Sequence, residues 1–216
     1  MTPPYAPQQT PEGPAPPLVE IGLVVVGRLA PAALEALKQA RSLVQRTLQE
    51  TFPAFAWRIP VVRRREKDRQ GAVEPVRLLD LGALEREAYR WDFALVVTGA
   101  ELVAYFKPFA FGTPAKAFNV AVLSLARLPP ASGETHSPRQ RIERMAHRTA
   151  ALMLHLFGHL NDLPHRDDPA DYMFDLQSAG DFDRMTSYGE PDRAWLQEQF
   201  AQEADPRLEE TRGYRG

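Results

Sequence analysis

The 216-residue chain contains no cysteine, which excludes a disulfide framework, a thiolate metal site and a cysteine nucleophile. It also lacks a strong charge bias: 26 basic against 28 acidic residues give a formal net charge of -2, so there is no global electrostatic reason to expect a nucleic acid or an anionic membrane as partner. Long apolar runs are missing too. Residues 18–26 are apolar but short and carry Glu20, as suits a buried strand rather than a membrane span. The first 17 residues are rich in proline and glutamine, with neither a basic start nor an apolar core, so they do not read as a signal peptide. The expectation is a cytoplasmic protein.

What is present suits one folded unit. With 44% hydrophobic and 25% charged residues, the chain can close one sizeable core. We expect a disordered proline-rich arm over 1–17, a single domain over 18–204 and a charged tail over 205–216. Ile21 to Val26, Phe93 to Thr98 and Val120 to Ala126 are apolar runs that predict buried strands. Phe55 to Arg63 predicts another, with Pro60 marking an edge or bulge. A helix opens at Pro31, carries an apolar stripe of Leu34, Leu37, Val44 and Leu48, and stops before Pro53. A second is predicted over Leu79 to Arg90. The stretch 99–118 is punctuated by Pro108, Gly112 and Pro114 and is expected to be irregular, with a short edge strand at Phe109 to Phe111.

Ser137, Pro138 and Gln140 form a helix start, with serine as cap, proline in the first turn and glutamine three residues on. From there a long helix should run over 138–160, and another near Arg193 to Gln202. Strands alternating with helices predict an α/β (α+β) fold: a twisted mixed sheet of four or five strands with backing helices and an irregular C-terminal subdomain. The basic run Arg63, Arg64, Arg65, Lys67 and Arg69, broken by Glu66 and Asp68, reads as a solvated loop rather than a nucleic-acid surface.

The chemistry is concentrated in three of the chain's five histidines. His155 and His159, four apart on the long helix, project from one face one turn apart, close enough to share an ion. Asn161, Asp162 and Pro164 then turn the chain, so that His165 can swing back to the same ion. Three imidazoles at these intervals can occupy three corners of a tetrahedron and leave the fourth open, the layout of a catalytic rather than a structural zinc site. They also suit cobalt, nickel or copper. His136 and His147 have no such arrangement; the first is expected on a loop surface and the second as an ordinary helix residue.

The string His155-Leu-Phe-Gly-His159-Leu-Asn-Asp-Leu-Pro-His165 resembles the metzincin consensus HExxHxxGxxH, and more narrowly that of the archaemetzincins, HELGHxxGLxHCxxxxCxM. Phe157, Gly158 and Leu163 fall on Leu-Gly and on the residue two before the last ligand. Met173, eight after His165, stands at the family's Met-turn position. Upstream, Phe109-Ala110-Phe111-Gly112 and residues 123–128 are similar to segments that supply the edge strand and the strand before the zinc helix. The resemblance implies one zinc ion held by His155, His159 and His165, and a cleft between sheet and C-terminal subdomain. A peptide or protein segment would lie there along Phe109, Ala110 and Phe111.

The chain departs from that pattern at the general base, where it has Leu156 in place of glutamate. Leucine can neither take a proton from a metal-bound water nor return it to a leaving amine, and such help is typically worth about 10²- to 10⁴-fold in rate. Asp162 replaces the motif glycine, a milder change because aspartate tolerates left-handed backbone. Arg166 and Asp171 replace the two cysteines of the family's second zinc site, so that site is absent and an ion pair between these two is expected instead. Three functions remain open: a metallopeptidase homologue with impaired or lost catalysis, a pseudoenzyme that binds a peptide; an active metallopeptidase using another carboxylate, among Glu101, Asp162, Asp167, Asp168 and Asp175; and a metal-free interaction scaffold.

Overall fold

A computed structural model describes residues 15–65, 71–104, 109–130 and 137–213, with side chains to 202. Most of the proline-rich arm, the basic positions Lys67 and Arg69, and His136 lie outside the described residues. The sheet is built on β1 (Leu18–Val26), nine residues buried on both faces from Val19 onward, as a central parallel strand must be. On one side it pairs in parallel with β2 (Ala56–Arg58) and then β3 (Val61–Arg64). These are one strand interrupted at Pro60, whose carbonyl still accepts from the Leu23 N–H at 2.8 Å. On the other side come β4 (Phe93–Thr98) and β6 (Val120–Ser124), both parallel, and finally β5 (Gly112–Ala115), the antiparallel edge. The order is β2-β1-β4-β6-β5, a mixed sheet as expected.

The edge strand begins where the expected one, Phe109–Phe111, ends. Ala110 makes only an isolated bridge to Leu102, and Phe111 spends its carbonyl on the Ser124 N–H at 2.8 Å. The Phe111 side chain turns into the core against Phe182, with ring centroids 5.2 Å apart. The strand instead runs through Pro114, which is tolerated because an edge can leave one N–H out of the ladder.

Two helices cover one face of the sheet and one covers the other. Helix α1 (Pro31–Thr51) buries Ala36, Leu37, Ala40, Val44 and Leu48 in the main core. Helix α2 (Pro75–Tyr89) starts four residues before the expected Leu79, with Pro75 in its first turn, and ends on Arg90 in a left-handed conformation at φ 54°. It packs on the opposite face, where Leu78 meets Val96, Val120 and Val122. Helix α3 (Pro138–Leu160) opens on a capping box: the Ser137 hydroxyl accepts from the Gln140 N–H, and the Gln140 side chain accepts from the Ser137 N–H. Its second half is buried almost all round because it is enclosed by the sheet, α1 and the C-terminal segment.

That segment is irregular as far as α4 (Glu190–Gly213) and is held by polar anchors. Arg148, 5% exposed on α3, makes a two-pronged ion pair with Asp183 at 2.7 Å on each arm and donates to the Leu128 carbonyl at 3.0 Å. No helix among the described residues is long and apolar enough to cross a membrane.

A candidate metal centre at the end of the long helix

The three histidines meet. Nε2 of His159 lies 3.1 Å from Nε2 of His155 and 3.0 Å from Nε2 of His165. One ligand atom from each ring falls within 4.8 Å of the others, and this is the only such group of metal-ligating side chains among the described residues. His155 and His159 come from consecutive turns of α3. The helix stops at Asn161, whose N–H is shared by the carbonyls of Gly158 and His159. Asp162 then takes φ 62°, the left-handed turn that returns the chain toward His165.

The opposite nitrogen of each ring explains its orientation. Nδ1 of His155 donates to the Tyr172 carbonyl at 2.7 Å, and Nδ1 of His159 to the Leu163 carbonyl at 3.0 Å. A carbonyl can only accept, so both rings carry their proton on Nδ1 and present a bare lone pair at Nε2. Nδ1 of His165 faces Oδ1 of Asp175 at 3.6 Å. In His155 and His159 those lone pairs converge at a separation where no proton is available to bridge them. A cation is the natural partner for such a set, and ring N–H groups anchored on carbonyls are the usual support for imidazole ligands. Burial lowers the pKa of His155 to about 3, helped by the neighbouring His159 and His165 and opposed by the Tyr172 carbonyl. Burial and His165 lower that of His159 as well. Both rings are therefore neutral and able to ligate near pH 7.

Met173 is fully buried. It reaches the helix because residue 158 is glycine: a Cβ there would stand 2.3 Å from the Met173 sulfur. Its N–H donates to Oδ1 of Asp171 and its carbonyl accepts from the Arg166 N–H, each at 2.8 Å. Leu156, 2% exposed, turns to the sheet side of the helix and lies over Gly112 at the start of β5. A Cβ on Gly112 would be 2.6 Å from its Cδ1 and 2.7 Å from the Val122 carbonyl oxygen.

The expected ion pair between Arg166 and Asp171 does not form. Arg166 grips Asp192, in the first turn of α4, through both Nε and Nη2. Asp171 is occupied elsewhere, accepting from the N–H groups of Met173 and Gly189 at 2.8 and 2.9 Å. Three further supports carried no local signal in the sequence. Tyr188 donates its hydroxyl to the Leu154 carbonyl at 2.6 Å and packs edge-on against Tyr172, whose own carbonyl holds His155. The Trp195 indole N–H binds the Asn161 carbonyl at 2.8 Å, pinning the end of α3. Lys116, just past β5, pairs with Asp162.

No family model matches the sequence, and no curated protein sequence does. Solved structures do. The fold is similar to that of the archaemetzincin from Methanopyrus kandleri, with a TM-score of 0.66 and 20% identity over 87% of this chain and 98% of that one. A zinc-dependent peptidase from Methanocorpusculum labreanum gives 0.59 at 20% identity, covering 82% of this chain and 99% of its own. The archaemetzincin from Archaeoglobus fulgidus, complexed with malonate, gives 0.58 at 19% identity over the same shares. Identities this low speak for fold alone. The chain therefore has the mixed α/β architecture of the archaemetzincins, with His155, His159 and His165 forming a candidate zinc site at the end of its long helix.

Proposed function

We propose that this protein is an archaemetzincin-like zinc protein that has lost most or all peptide hydrolysis and uses the cleft beside the metal to bind a peptide or protein segment. This reading is supported by a ligand-ready histidine triad together with Leu156, an apolar residue where the resemblance implies a general base. A bound zinc would supply Lewis acidity toward a water or a carbonyl. The protein's own residues would supply the rest: His155, His159 and His165 as the ligands, Met173 as packing beneath them, and Leu156 as a wall without proton chemistry. Losing general acid-base help costs about 10²- to 10⁴-fold in rate.

The guest would pair with β5. That strand bonds to β6 on one side and has no strand partner on the other among the described residues, so its outer edge is open to strand addition. Gly112 to Ala115 would carry the pairing, with Phe109 and Ala110 leading into it and Phe111 anchored below.

The reading of an active enzyme with a substitute base has little support from four of the five acids named above. Glu101 pairs with Arg127, Asp162 with Lys116, and Asp168 accepts from the Ala170 N–H. Asp175 stands beside the triad, but at Nδ1 of His165, the ring nitrogen opposite Nε2. A carboxylate there orients the ring.

The test compares wild type, Leu156→Glu and Leu156→Gln, each loaded with zinc, on a broad peptide library. Hydrolysis that emerges only in Leu156→Glu, with wild type and Leu156→Gln silent, is the expected result. Wild-type turnover equal to that of Leu156→Glu would show a working peptidase and end the proposal.

A further inference from the structure

The far end of the sheet holds a cavity of about 590 Å³, within the range of small-molecule sites. It opens where the chain leaves the carboxyl ends of β1, β4 and β6, at Arg28 to Ala30, Gly99 and Leu125 to Ala126. Between β1 and β4 the connections part: from β1 the chain runs through α1 to β2 and β3 on one side, and from β4 it runs on to β5 and β6 on the other. In open α/β sheets such a switch point is the usual place for a ligand crevice. The triad lies elsewhere. Arg141, which lines this cavity, and His155 are separated along α3 by roughly 20 Å at 1.5 Å per residue.

The lining has two characters. Leu29, Ala33, Leu125, Ile142 and Met145 give an apolar interior. Among the described residues that line it, Arg28 and Arg141 are the only charged ones and none is an acid. Among the described residues neither guanidinium has a hydrogen-bond or ion-pair partner, whereas Arg58, Arg64, Arg127, Arg148 and Arg166 are all paired. The start of α1 adds to the positive character, because Ala30 provides no side-chain cap for the first-turn N–H groups. Two unpaired cations over an apolar cavity complement a molecule with an anionic head and an apolar body.

We propose that this cavity binds a small amphipathic carboxylate, its carboxylate on Arg28 and Arg141 and its apolar part among Leu125, Ile142 and Met145. Charge-assisted bonds to two guanidiniums fix the head, and removal of the tail from water supplies the remaining affinity.

The test uses octanoate, octanol and inorganic phosphate as probes, read by calorimetry and by the NMR shift of the Met145 methyl group. Octanoate should bind saturably and move that signal, with octanol at least about tenfold weaker and phosphate weaker still. The variant Arg28→Ala/Arg141→Ala should lower octanoate to the octanol value and leave octanol binding and zinc content unchanged. Ala33→Phe, which fills the cavity and keeps both charges, should abolish binding of octanoate and octanol alike. Octanoate binding that survives the double variant, or phosphate binding as tightly as octanoate, would overturn the proposal.

Discussion

Gly158 is the point where the helix, the methionine and the histidines depend on one another, and substituting it tests that dependence quantitatively. In an ordinary helix interior, Gly158→Ala would stabilise by about 1 kcal/mol. Here the new methyl would stand 2.3 Å from the Met173 sulfur and 3.3 Å from Cδ1 of Leu163, in a spot with no solvent access. Overpacking of this kind costs about 3 kcal/mol at its upper range, so the single variant should lose about 2 kcal/mol net. Met173→Ala alone should cost about 3 kcal/mol through lost burial and the cavity left behind. With the sulfur gone the clash disappears, and Gly158→Ala should then recover its ordinary gain of about 1 kcal/mol. The coupling energy is therefore about 3 kcal/mol, near the top of the range for contacting residues. Urea unfolding of the four proteins in chelator, followed by tryptophan fluorescence, measures it. Additivity within about 0.5 kcal/mol would refute the packing described here. A second readout is zinc affinity: moving Met173 displaces Tyr172, whose carbonyl holds His155, so Gly158→Ala should bind zinc more weakly than wild type.

Asp183→Ala takes the two-pronged acceptor from Arg148, which is 5% exposed, and should destabilise the protein by about 3 kcal/mol in chemical denaturation, while exposed Arg139→Ala should cost under about 0.5 kcal/mol. Asp181 accepts from the N–H groups of Gln177 and Ser178 and from Arg184; these outweigh the effect of burial and hold its pKa below the usual aspartate value. Its contribution is thus complete above about pH 4, the unfolded-state value, and is lost as pH falls through the lower folded value. The stability gap between wild type and Asp181→Asn should accordingly be constant from pH 7 to 5 and close below about pH 4. A gap that widens on acidification would contradict this sign.

How much of this was legible in the sequence depended on the range of the interactions. β1, β4 and β6 announce themselves because strands buried on both faces must be continuous apolar runs, and α3 because Ser137 and Gln140 are a local capping pair. The triad was legible for the same reason: a four-residue helical repeat and a turn at Asp162 are short-range facts. The start of α2 was missed because Val76 is exposed and breaks the apolar stripe, although Pro75 was the available signal. The edge strand was misplaced by three residues because Phe109 and Phe111 look strand-like but serve the core, while Gly112 and Pro114 look like breakers but sit where an edge accepts them. Arg166 was given the wrong acid, since Asp192 is 26 residues away and only the folded chain brings it near. Tyr188 and Trp195, which hold the helix that bears the ligands, were invisible for that reason too.

The proposed function rests on three imidazoles sharing one ion. The direct measurement is zinc content per chain after equilibration with zinc and removal of the excess, for wild type and His159→Ala side by side, with circular dichroism to show that both are folded. About one tightly held zinc in wild type and none in the folded variant is the predicted result. A folded wild type that retains no zinc, or a His159→Ala protein that retains as much as wild type, would contradict it.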